Sequence, residues 1–122
     1  MAEARVASEL VMRCFHARTA AHVFHLRSRS FAEHKALNDF YDDIVDLVDS
    51  FAEVYQGEHG LLALDGAYAP GMNPKAMLAG LAAWIAENRD KVCPRSDTHI
   101  QNIIDEIVAL INETLYKLKF LA

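Results

Sequence analysis

Residues 22–53 read HVFHLRSRSFAEHKALNDFYDDIVDLVDSFAE, and the break inside this stretch sets the organisation of the chain. Upstream of it, Val6, Leu10, Cys14, Ala17, Ala21 and Phe24 recur at three- and four-residue steps, which predicts a helix over 2–27 with one apolar face. Ser28-Arg29-Ser30 interrupts that pattern. Ser30 followed three places later by Glu33 is a capping box, so a second helix should start at 31 and lie antiparallel to the first across a short turn. The second helix is expected over 31–55, stopping at Gly57. It carries an apolar stripe of Leu37, Phe40 or Tyr41, Ile44, Val48, Phe51 and Tyr55, and a second stripe of Asp42, Asp46, Asp49 and Glu53. Two stripes on one helix imply two different neighbours.

The stretch 57–72 gathers Gly60, Gly66, Pro70 and Gly71, and reads as a long connection with a turn of helix around 61–64. Asn73 as cap and Pro74 at the first helical position open a third helix over 74–92, before Pro94; Gly80 and its alanine neighbours should let it pack closely. Thr98 and Gln101 form another capping box, and Ile100, Ile103, Ile104, Ile107, Leu110, Ile111, Leu115 and Leu118 carry a fourth helix to the chain end. The final Phe120-Leu121-Ala122 suggests an end that is packed. The expectation is a single all-α domain, residues 1–122, built as a four-helix bundle.

Composition sets outer bounds. With 52% hydrophobic residues and few glycines and prolines, long helices are favoured over short strands. A net charge of −5 argues against nucleic acid as a partner of the whole surface. Cys14 and Cys93 fit no metal or redox spacing and read as buried thiols in a reducing compartment. No apolar stretch is long enough to cross a bilayer, and residues 1–5 lack the pattern of a secretory signal, so a cytoplasmic protein is expected.

The chemistry concentrates on four residues. His22 and His34 sit at nearly equal heights on either side of the turn at Arg29, so both rings can approach one metal from the same side. Asp49 and Glu53 are one helical turn apart on one face and make a second half-site. Imidazole and carboxylate suit divalent iron, manganese or zinc, and the lack of cysteine disfavours a closed structural zinc site. At about 1.5 Å per residue, Asp49 lies roughly 22 Å along the helix from His34. One chain therefore cannot bring all four to one ion. If the second helix packs antiparallel against its copy about a two-fold axis, the His pair of one subunit meets the Asp/Glu pair of the other. His25, one turn beyond His22, is either an extra ligand or a supporting or surface histidine, whereas His16, His59 and His99 have no comparable partners. Glu33-His34 and Glu58-His59 are adjacent pairs whose side chains should point apart on a helix.

The spacing His22-x11-His34-x14-Asp49-x3-Glu53, with Ser30-Phe31-Ala32-Glu33-His34 and Phe40-Tyr41 around it, resembles the intersubunit ferroxidase motif of Dps, the ferritin-like mini-ferritins. The closing run Thr114-Leu115-Tyr116-Lys117-Leu118-Lys119-Phe120-Leu121 is similar to that family's last helix. The resemblance implies a ferritin-like bundle with a long crossover between the second and third helices. It also implies iron held by His22 and His34 of one subunit and by Asp49 and Glu53 of its two-fold neighbour. Oxidation of Fe(II) by hydrogen peroxide or oxygen, iron storage in a hollow homo-dodecamer and protection against oxidative stress follow from it.

Some positions depart from that pattern. Val23 stands where Dps proteins commonly have Trp after the first ligand, and of the positions used for mineral nucleation, Lys35, Asn38 and Asp39, only Asp39 is acidic. The chain also lacks a lysine-rich N-terminal tail, so DNA binding is not carried over, and its shortness is similar to ferritin-like proteins of bacteriophages. Two other readings compete: a non-enzymatic ferritin-like assembly protein that keeps metal only as an interface staple, and a helical adaptor whose acidic stripe binds a basic partner.

Overall fold

The computed structural model describes residues 2–68 and 73–121. The described residues form four helices: α1 (Ala2–Arg27), α2 (Phe31–His59), α3 (Pro74–Val92) and α4 (Thr98–Phe120). α2 and α3 begin where a side chain satisfies an orphan backbone donor of the first turn. Ser30 Oγ accepts from the Glu33 amide at 3.2 Å, and Asn73 Oδ1 accepts from the Ala76 amide at 2.8 Å with Pro74 behind it.

The helices close on one core. Leu10, Val11 and Cys14 of α1 and Phe40, Ile44, Val48 and Phe51 of α2 meet Leu78 and Ile85 of α3 and Ile100, Ile104, Ile107 and Ile111 of α4, all essentially inaccessible to water. Burying each Leu, Ile or Phe of this set contributes about 1.5–3 kcal/mol. On α2 the buried stripe includes Phe40 rather than Tyr41, which is half-buried beside it.

Directions follow from end contacts. α1 and α2 turn back on each other through residues 28–30, and α3 and α4 through 93–97. α2 and α4 are antiparallel, because Lys117 reaches Asp39 at one end (3.7 Å) and His59 meets Asp97 at the other (3.0 Å). α1 and α4 each pack on both α2 and α3, which leaves α2 and α3 on a diagonal and pointing the same way. The described part of their link, 60–68, is laid against α1. The Leu64 amide donates to Ser8 Oγ (2.8 Å), the Tyr68 amide to His16 Nδ1 (3.5 Å), and the Arg13 guanidinium stacks over both Tyr68 and Trp84.

Several local expectations are corrected. α2 does not stop at Gly57 but runs to His59, with Gly60 (φ +105°) as its cap and the Gly60 amide donating to Gln56 O. A helical glycine costs about 1 kcal/mol relative to alanine. That cost is offset because Glu58 and His59 find partners on the neighbouring helix. No helical turn forms at 61–64; with Leu64 at φ 53° and Gly66 at φ 107°, the link is held by side chains of the flanking helices, the Leu62 amide donating to Gln56 of α2 and the Leu64 amide to Ser8 of α1. The Thr98–Gln101 box does not form, since Gln101 is buried and its amide donates to the carbonyls of Arg89 and Cys93. The Ser30 box is half formed, because the Ser30 amide is taken by Ser28 Oγ. Gly80 is exposed, with no atom within 4 Å of where a Cβ would sit, so it makes no close helix contact. Phe120 and Leu121 are 72% and 47% exposed, so the apolar end is not packed within the chain. Pro70, Gly71 and Ala122 lie outside the described residues.

Both cysteines are free and buried, as expected. Burial pushes the Cys14 thiol from 9.0 up to about 12. Because the folded value is raised, the protonated thiol's contribution to stability is complete below about pH 9 and is lost as the pH climbs towards 12. Cys14 in the native protein should therefore resist a neutral thiol reagent at pH 8 and react on unfolding; rapid native labelling at Cys14 would contradict this packing.

Candidate metal-binding residues

The turn between α1 and α2 is locked by two histidines. The Nδ1 of His25 lies 2.7 Å from the carbonyl of His34, and the Nδ1 of His34 lies 2.9 Å from the carbonyl of His25. A carbonyl only accepts, so Nδ1 carries the proton in both rings. In the neutral ring the lone pair is then on Nε2, the nitrogen free of the backbone bond and suited to a metal. The two rings stack at 3.6 Å between centroids, and His25 is buried at 7% exposure. His25 thus supports the packing of the turn behind His34 and is not a surface histidine.

His22 is exposed and stacks on Tyr41 at 4.2 Å, while Tyr41 donates to Asn38 at 2.7 Å. His22 and His34 do share one end of the α1–α2 pair. Each ring packs on His25, with centroid distances of 5.9 and 3.6 Å, so His25 stands between them.

Asp49 and Glu53 lie elsewhere on the same chain, as the helical rise requires. Both are exposed on α2 and line a shallow hollow of about 420 Å³ together with Asp46, Ser50 and Val54. The whole acidic stripe, Asp42, Asp46, Asp49 and Glu53, faces outward. Asp39, the acidic residue at a nucleation-type position, is flanked by Lys35 at 3.6 Å and Lys117 at 3.7 Å.

A second constellation occupies the opposite end of α2, and the sequence reading missed it. His59 Nε2 lies 2.9 Å from Glu58 Oε2 and 3.0 Å from Asp97 Oδ2, and His99 Nε2 lies 2.6 Å from Glu58 Oε1. His59 and His99 therefore do have partners, and the adjacent Glu58 and His59 do meet. At the last turn of a helix, side chains are free of a following turn and can converge in a way that neighbours in mid-helix cannot. The signal was a Glu-His pair at the end of one helix and an Asp-x-His at the start of another that packs antiparallel to it.

Residues 25–118 match the model of a family described as "Family of unknown function (DUF5856)". The chain is also 26% identical over 101 residues to the "Uncharacterized 14.6 kDa protein in mobD-ri intergenic region" of Enterobacteria phage T4, covering 80% of this chain and 75% of that one. No solved structure matches.

The packing at the turn has a measurable consequence. His25→Ala removes a buried ring and its hydrogen bond and should lower stability by about 1–3 kcal/mol, whereas loss of the exposed His22 ring should fall within about 0.5 kcal/mol. Urea unfolding of the two variants checks this, and equal effects would contradict the supporting role given to His25.

Proposed function

This chain belongs to DUF5856, a family of unknown function, and we propose that it is a ferritin-like iron-binding protein whose Fe(II)-oxidising site is completed between two copies. The observation that carries the reading is the state of His34. Its Nδ1 is committed to a backbone carbonyl, which leaves Nε2 as the ligand nitrogen, and a fixed ring of this kind is what a metal-binding histidine needs.

The donors fit iron. His22 and His34 supply two imidazoles at one end of the α1–α2 pair, on either side of His25, and Asp49 and Glu53 supply two carboxylates one turn apart on an exposed face, where they can bridge two ions. Along the unbroken α2, about 22 Å separates His34 from Asp49, so the halves meet only if a second copy packs antiparallel on α2. Exposed Val23, Leu26 and Phe31, at 40%, 72% and 79%, lie at the histidine end and offer apolar area to such an interface. A long link that joins two αα-hairpins while leaving α2 and α3 parallel is the arrangement of ferritin-type bundles, which supports that name for the fold. A phage-type member fits a chain that is 26% identical over 101 residues to a phage protein.

In this reading Fe(II) is the substrate and the protein contributes no nucleophile. The carboxylates and imidazoles hold the ions and favour the more highly charged Fe(III) product. Each Fe(II) gives up one electron, and hydrogen peroxide takes up two electrons and two protons to leave as water. Storage of the ferric product stands outside the proposal, because Lys35 and Lys117 already neutralise Asp39.

Asp49→Ala tests the site. Fe(II) added without oxygen and then mixed with peroxide should show a fast ferric absorbance change in the wild-type protein, slowed at least about tenfold in the variant, with helical circular dichroism unchanged. Kinetics identical to wild type would reject Asp49 as a ligand. Dissociation of the oligomer by a chelator, with no Fe(II) oxidation in the wild type, would favour a purely structural metal.

A further inference from the structure

We propose that Glu58, His59, Asp97 and His99 bind one divalent transition-metal cation that clamps the end of α2 to the start of α4. The residues involved are distinct from the four discussed above, and the inference does not rest on that reading.

The first observation is convergence. One ligand atom each from Glu58, His59 and Asp97 lies within 4.8 Å of the others. Ligand atoms bound to one ion at about 2.0–2.2 Å lie roughly 3–3.5 Å apart, so a small closing of these side chains would seat an ion among them. His99 Nε2, 2.6 Å from the second oxygen of Glu58, stands beside them as the fourth donor.

The second observation is what the local structure forgoes. Asp97 occupies the N-cap of α4, where an aspartate ordinarily accepts from the backbone amides of the first turn, yet it makes no side-chain cap bond and turns its Oδ2 to His59. Gly57 is kept helical so that α2 reaches Glu58 and His59. Both features act against local helix preferences and both bring ligands to one point. Partly exposed histidine–carboxylate pairs contribute little by themselves. A cation shared by them would contribute much more, because it neutralises two carboxylates at once.

Donor chemistry selects the class of ion. Two imidazoles and two carboxylates suit Zn2+, Fe2+ or Mn2+. Cys93, the nearest thiol, is buried with Gln101 against its sulfur and stands outside the set. Side-chain exposures of 34% for His59 and 19% for Asp97 leave a path from solvent.

Zn2+ is the probe. Equilibrium dialysis of the full chain carrying His22→Ala and Asp49→Ala, which disables the other candidate site, should retain one Zn2+ per chain against a mild competing chelator. Adding His59→Ala and Asp97→Ala should abolish that retention. On the unaltered chain, Zn2+ should shift the imidazole NMR signals of His59 and His99 and leave His16 in place, which keeps the proposal testable if the multiple variant fails to fold. Retention unaffected by the His59 and Asp97 substitutions, complete loss of Zn2+ to the mild chelator, or unmoved His59 and His99 signals would each overturn it. Because the dialysis is done without the other site, its outcome is separate from the fate of the Fe(II)-oxidation proposal.

Discussion

The fixed rise of the α-helix governs which candidate ligands this chain can bring together. α2 runs unbroken over 29 residues, about 43 Å, and every candidate ligand but those on α1 and α4 is strung along it. Side chains at its two ends cannot meet within one molecule. What each end can gather is decided by the helix beside it: α1, through the tight turn, brings His22 and His25 to His34, and α4, running antiparallel, brings Asp97 and His99 to His59. Asp49 and Glu53 share their hollow with Asp46 but with no histidine among the described residues. In the proposed reading, that exposed face without an imidazole is the reason for placing the completing half of the site in a second copy.

The helices and their faces were largely legible in the residues. Three- and four-residue apolar spacing marks the buried stripes of α1, α2 and α4, and the Ser28-Arg29-Ser30 break falls where α1 ends. What was not legible is where tertiary contacts override a local signal. Gly57 is a sound stop signal, but contacts made two residues later hold it in helix. Thr98 and Gln101 have the spacing of a capping box, but Gln101 satisfies more buried groups by turning inward to the α3–α4 link. A capping motif fixes only local hydrogen bonds, and a buried carbonyl without a donor costs more than a cap is worth.

The same contrast separates the two metal-type clusters. His22, His34, Asp49 and Glu53 announce themselves by regular spacing on the turn and on α2, while Glu58, His59, Asp97 and His99 become neighbours only when α2 and α4 pack antiparallel. Sequence spacing reveals candidate ligands that share an element or flank a tight turn, whereas candidates from elements distant in the chain need the topology first. His25 lies between these cases: its position one turn after His22 is visible, but its burial and its bond to the His34 carbonyl depend on the turn closing tightly.

Whether two chains share a site is best decided by mixing two defective ones. His34→Ala and Asp49→Ala proteins, each unable to oxidise Fe(II) rapidly, would be co-refolded or subunit-exchanged and then assayed with peroxide. A heterodimer of the two contains one intact site, formed by the histidines of one copy and the carboxylates of the other. Random pairing should therefore restore about a quarter of wild-type sites. Recovery of that size is the predicted result; a mixture as inactive as its two components would contradict a site built across the two-fold interface.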